Sequence, residues 1–92
     1  MNDQVSGTFE IVNKLGLHAR AATKLVQTAS RFNADVELQK DGHVANGKSV
    51  MGVLLLCGHQ GSRVTVTASG PDARDAVAAI GTLIADRFGE SA

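Results

Sequence analysis

The sequence predicts an α+β fold in which a four-stranded, mainly antiparallel sheet carries three helices on one face, in the order β-α-β-β-α-β-α. Three observations carry that expectation. Short segments of alternating polar and apolar residues are separated by segments of helical period. Each alternating segment has one clearly apolar side, as a sheet covered on a single face requires. An Asp41-Gly42 pair joins two such segments, which is the chemistry of a tight hairpin turn.

Over residues 7–12, Gly7, Phe9 and Ile11 fall on one side and Thr8, Glu10 and Val12 on the other, giving the first strand. Residues 13–16 make a short connection. From about 19 to 30 the period changes: Ala22, Leu25, Val26 and Ala29 form a stripe, with Arg20, Lys24, Gln27 and Thr28 off it, so His18 falls where a helix begins. Val36 and Leu38 alternate with Asp35, Glu37 and Gln39 in the second strand, and Asp41-Gly42 returns the chain into a third over residues 43–45. Ser49 is placed to cap a short helix over residues 50–56, ending near Gly58. Val64, Val66 and Ala68 mark the fourth strand. Gly70-Pro71-Asp72 opens the last helix, with Pro tolerated in a first turn and Asp suited to the positive end of the dipole. Its stripe is Ala73, Ala76, Val77, Ile80, Leu83 and Ile84. One domain over residues 1–92 is expected, with an ordered core of about 5–89 and loose ends at 1–5 and 90–92.

Composition narrows the function. The 43% of hydrophobic residues is enough for a modest core, so disorder is not the expectation. Nine basic and nine acidic side chains cancel without a Lys/Arg run, which disfavours nucleic acid as a partner. The lone Cys57 has no internal disulfide partner and is expected to pack as a small hydrophobe in a reducing, cytoplasmic setting. The polar start lacks the pattern of a secretory signal, and the longest apolar run, residues 53–57, is too short to cross a bilayer. A soluble, unanchored protein is expected.

The segment Gly16-Leu17-His18-Ala19-Arg20 lies between strand and helix, beside backbone N–H groups that have no partner within the helix. Those amides and the helix dipole suit an anion. A phosphoryl group on the imidazole would bring roughly two negative charges there at neutral pH. Arg20 would add a planar, permanently charged fork for phosphate oxygens. The positive helix end favours a neutral imidazole whose lone pair attacks without a separate base. On spacing alone, a His18 that simply caps or packs at a helix start is the commoner case. No Gly-rich phosphate loop and no metal-ligand spacing accompanies it, so neither ATP chemistry nor a metal or other cofactor is expected. His43 and His59 sit near turns and are assigned no chemistry.

Residues 50–56 are apolar almost all round, more than a helix lying on a sheet needs, so part of that surface is expected to face outward. Val50, Met51 and Leu54 share one side and, with Ala19 beside the histidine, form the expected docking patch for protein partners. Full burial of the segment fits the periodicity as well. Ser49 is first a helix cap. A phosphate there would be tolerated by the helix end, yet would put charge at the edge of the patch.

Residues 13–20, Asn-Lys-Leu-Gly-Leu-His-Ala-Arg, and residues 46–54, Asn-Gly-Lys-Ser-Val-Met-Gly-Val-Leu, resemble the two signatures of the HPr family, the histidine-containing phosphocarriers of the bacterial phosphotransferase system, including its nitrogen-related branch. The resemblance spans nearly the whole chain. It implies an open-faced β-sandwich, phosphorylation of His18 on Nδ1 by phosphoenolpyruvate-charged enzyme I, Arg20 holding the phosphoryl group, and onward transfer to a IIA-type domain. It also implies possible phosphorylation of Ser49 by a kinase of the HPr kinase/phosphorylase kind, weakening enzyme I binding and creating a surface for regulators. One departure stands out: Ala21 occupies the place where the family usually has Pro. Loss of the fixed φ should loosen the site slightly, while Ala is a good helix former and restores an N–H donor. Such a carrier is expected to turn over only with partners, and as a monomer. Two other readings stay open on the residues themselves: a regulatory partner-binding module and a small-molecule-binding α/β domain.

Overall fold

The computed structural model describes residues 4–92. Four strands and three helices follow in chain order: β1 (Gln4–Glu10), α1 (Ala19–Ala29), β2 (Asp35–Lys40), β3 (His43–Asn46), α2 (Val50–Leu55), β4 (Arg63–Ser69) and α3 (Ala73–Ala85), then a 3-10 turn at Arg87–Gly89. The expected order is therefore the observed one.

The sheet has the spatial order β1-β4-β2-β3, and all three pairings are antiparallel. Lys40 pairs with His43, and Asp41 and Gly42 between them adopt φ of 51° and 81°, the two left-handed positions that the sequence pair supplies. β1 starts before the expected Gly7. β4 runs on to Ser69, so Gln4 and Val5 find ladder partners in Ser69 and Ala68, and Val5 extends the core-facing side with Gly7 and Phe9. On the open face Ser6 meets Thr67 at 2.9 Å and Thr8 meets Thr65 at 3.0 Å, hydroxyl to hydroxyl. Residues 1–3 of the expected loose start lie outside the described residues.

The core lies between the sheet and the helices. Leu25, Val36, Leu38, Val64, Val66, Ile80 and Ile84 are buried there, each from the predicted side of its element. Leu83 packs only partly against it, and Gly81 is buried instead because the ring of Phe9 lies where its Cβ would be. Of the next two residues, one has an added role and one corrects an expectation. Asp72 stands at the positive end of α3 as expected, and its carboxylate has a further role: it accepts hydrogen bonds from the N–H groups of Asn33 and Ala34, both at 2.8 Å, tying the α1–β2 connection to α3. Two neighbouring N–H donors thereby satisfy the carboxylate. Cys57 is exposed rather than packed: Leu56 turns inward after α2, and Cys57, at φ 53°, swings its thiol outward.

Candidate functional site

His18 is the N-cap of α1, with extended backbone (φ −74°, ψ 178°). Its Nδ1 accepts a hydrogen bond from the N–H of Arg20 at 3.3 Å, so a lone pair, not a proton, sits on Nδ1. No acidic residue occupies the first turn of α1, which leaves its positive end uncompensated from within the helix. The expected placement of His18 where a helix begins is thus what the fold provides.

The loop before His18 is held from two sides. Gly16 adopts φ +66°, and a Cβ there would come within 2.4 Å of the carbonyl oxygen of Gly58. That close approach lets Leu17 donate its N–H to the same carbonyl at 2.7 Å. Asn13, fully buried, donates through Nδ2 to the Gly16 carbonyl at 2.9 Å, closing the loop from within.

The second donation of Asn13 leads to a residue that sequence reasoning missed. Nδ2 also donates to Oε1 of Glu90 at 2.9 Å, and Oε2 of Glu90 bonds to Nε2 of His18. Residue 90 was expected to be loose; instead its carboxylate bridges Asn13 and His18, and its side chain is only 16% exposed against 28% for that of His18. These two hydrogen bonds, the one from His18 foremost, hold the Glu90 carboxyl below the usual carboxylate range. Further on, Lys14 donates its N–H to the Ala92 carbonyl at 3.1 Å. The chain end and the His18 loop thereby enclose a cleft of about 620 Å³ lined by Lys14, Leu15, His18, Ala19, Arg20 and residues 90–92. Arg20 is exposed on this cleft, and its guanidinium has no carboxylate partner among the described residues.

Ser49 caps α2 as expected, its hydroxyl accepting from the N–H of Gly52 at 3.1 Å. α2 packs beside α1. Its outward face differs from the expected one: Met51 is 66% exposed, but Val50 and Leu54 are half-buried against the core and Leu55 takes the outward place at 74%. A six-residue helix that is apolar all round gives periodicity no means of choosing its buried side. Leu15, 67% exposed on the rim of the cleft, was likewise not singled out. Among the described residues, no group of three His, Cys, Asp or Glu side chains is placed to hold a metal ion, and no helix is long and apolar enough to cross a membrane.

Comparison with known proteins agrees with the fold. The family model described as the PTS HPr component phosphorylation site matches residues 5–86. The chain is 49% identical over 80 residues to the phosphocarrier protein HPr of Cupriavidus necator, covering 87% of this chain and 90% of that one. The crystal structure of HPr-C-His from Thermoanaerobacter tengcongensis superposes with a TM-score of 0.92 at 43% identity, covering 96% of this chain and 99% of that one. That of a phosphocarrier protein HPr from Bacillus anthracis str. Ames gives 0.84 at 41% identity, covering 88% and 96%.

Proposed function

Since the chain belongs to the HPr family of phosphocarriers of the phosphotransferase system, we propose that it takes a phosphoryl group onto Nδ1 of His18 from phosphorylated enzyme I and passes it to a IIA-type domain. One observation supports this reading above the others: the Nδ1 lone pair lies at the start of α1, hydrogen-bonded by a main-chain N–H that can turn to a phosphoryl oxygen instead.

Attack by Nδ1 needs no base, because the lone pair is already free of a proton. As the N–P bond forms, the N–H of Arg20 exchanges the ring nitrogen for a phosphoryl oxygen, and the Arg20 guanidinium supplies the charge complement from the same cleft. Positioning and electrostatics of this kind are what phosphoryl transfer asks of a protein. Partners dock over Ala19 and Leu15 at the cleft and over Met51 and Leu55 on α2, with Val50 and Leu54 contributing their half-exposed edges. Ser49 is a regulatory site: a phosphate on its hydroxyl adds negative charge at the start of α2, next to Met51, and repels partners without unfolding the chain. The carrier works as a cytoplasmic monomer, presenting one face to donor and acceptor in turn.

A relay assay tests this. With phosphoenolpyruvate labelled in its phosphate and a cognate enzyme I, label should reach this chain and then move to an added IIA-type domain. Label that stops on an active enzyme I would overturn the proposal.

A further inference from the structure

The structure assigns to Glu90 the task of keeping the proton of His18 on Nε2 through both halves of phosphoryl transfer, so that Nδ1 attacks as a free lone pair and departs as part of a neutral imidazole. The inference deepens the carrier reading and rests on it for its catalytic half.

The geometry fixes each ring nitrogen from a different direction. Arg20 donates to Nδ1, so a proton on Nδ1 would face another donor. The Glu90 carboxylate is an acceptor only, so Nε2 must donate to it. Both contacts select one tautomer. The carboxylate is also not free to turn away, because Oε1 is engaged by Asn13, whose buried side chain is anchored at the Gly16 carbonyl.

Glu90 is delivered to this point by a costly piece of backbone. Arg87, Phe88 and Gly89 take φ of 57°, 54° and 77° in succession, and two of the three are not glycine. Left-handed conformations at non-glycine residues are held only where surrounding structure over-determines them. Here Phe88 is fully buried, its carbonyl accepts from Nζ of Lys24 at 2.6 Å, and Glu90 donates its own N–H to the Arg87 carbonyl at 2.9 Å. The turn redirects the chain after α3 so that a side chain 72 positions along the sequence reaches the imidazole.

The chemistry requires a partner at that place. When Nδ1 forms its bond to phosphorus, the bond from phosphorus to the donor's leaving atom breaks and its electron pair stays with the donor. The His18 ring, still carrying the Nε2 proton, gains a positive charge, which the Glu90 carboxylate offsets at hydrogen-bond range. In the onward step the N–P electron pair returns to Nδ1 while Nε2 keeps its proton, so the leaving group is neutral imidazole. Were that proton lost, the leaving group would be an imidazolate, far more basic and slower to depart. Glu90 touches no reacting atom and is a positioning residue.

Glu90→Gln tests the inference, because the amide keeps the shape but offers one acceptor oxygen to two donors. Nitrogen-15 NMR of the unphosphorylated wild-type chain should show His18 as the Nε2–H tautomer. In Glu90→Gln the second tautomer should appear, and transfer from donor to chain and from chain to acceptor should each slow about tenfold, the rate equivalent of one charge-assisted hydrogen bond. Glu90→Ala should shift the tautomers in the same way while the backbone amide spectrum away from the site is kept. An unchanged tautomer in both variants, or a wild-type proton on Nδ1, would overturn the role of Glu90 even if the chain carries phosphate. A wild-type chain that shows the expected tautomer but accepts no phosphoryl group would overturn the carrier reading and the catalytic half with it.

Discussion

Replacing Gly16 with alanine should damage the histidine loop in a way that can be worked out from its neighbours. At φ +66° an L-residue is strained, and the added Cβ would meet the Gly58 carbonyl oxygen at 2.4 Å and Cα of His59 at 2.9 Å, both backbone atoms that no rotamer change can clear. The left-handed conformation costs about 1–2 kcal/mol. Forcing the two loops apart adds about 1–3 kcal/mol. The 2.7 Å hydrogen bond from the Leu17 N–H to Gly58 is stretched at the same time. Together these predict a loss of about 2–5 kcal/mol, against roughly 5–14 kcal/mol of stability expected for a chain of this length. Gly42→Ala is the matched control: its φ is +81°, yet nothing lies within 4 Å of the new Cβ, so only the conformational cost applies. Urea denaturation of both variants, with unchanged slopes, measures the difference. If Gly16→Ala were no more destabilising than Gly42→Ala, the close approach of the two loops, and with it the account of how His18 is held, would be wrong.

Ser49→Ala removes the cap on Gly52 and should cost about 1 kcal/mol, read as a fall in Tm of about 4–8 °C. Asp72 has its carboxyl pKa lowered, chiefly by the hydrogen bond from Asn33, so its stabilisation is present above the ordinary carboxylate value of about 4 and is lost as pH falls through the lower folded value; Asp72→Asn should be less stable at neutrality and lose less on acidification, as urea midpoints at neutral and acid pH will show. Ala21 has an N–H without an acceptor among the described residues, so Ala21→Pro removes no hydrogen bond of the fold and should change the phosphorylation rate by less than about tenfold. A variant that turned an inert chain into an active one would refute that reading of Ala21.

Much of the fold was legible because local chemistry and the global arrangement agree. Asp41-Gly42 supplies the two left-handed positions of the β2–β3 turn, Ser49 the cap of α2, and the helical stripe beginning after His18 puts that residue at an N-terminus. What sequence reasoning missed depends on contacts between distant positions. Glu90 lies beyond any periodic segment, and nothing local marks it as the partner of His18 and Asn13. Asp72 was legible as an acid at a helix start, but nothing local marks Asn33 and Ala34, in the α1–β2 connection, as its partners. The outward face of α2 fell on Met51 and Leu55 rather than Val50 and Leu54 because only docking against α1 and the sheet decides it.

The most direct test of the central claim is intact mass after incubation with phosphoenolpyruvate and a cognate enzyme I, with His18→Ala as the control. The account predicts one added phosphate that is lost in acid and is absent from the variant. An acid-stable phosphate, or one that persists in His18→Ala, would contradict it.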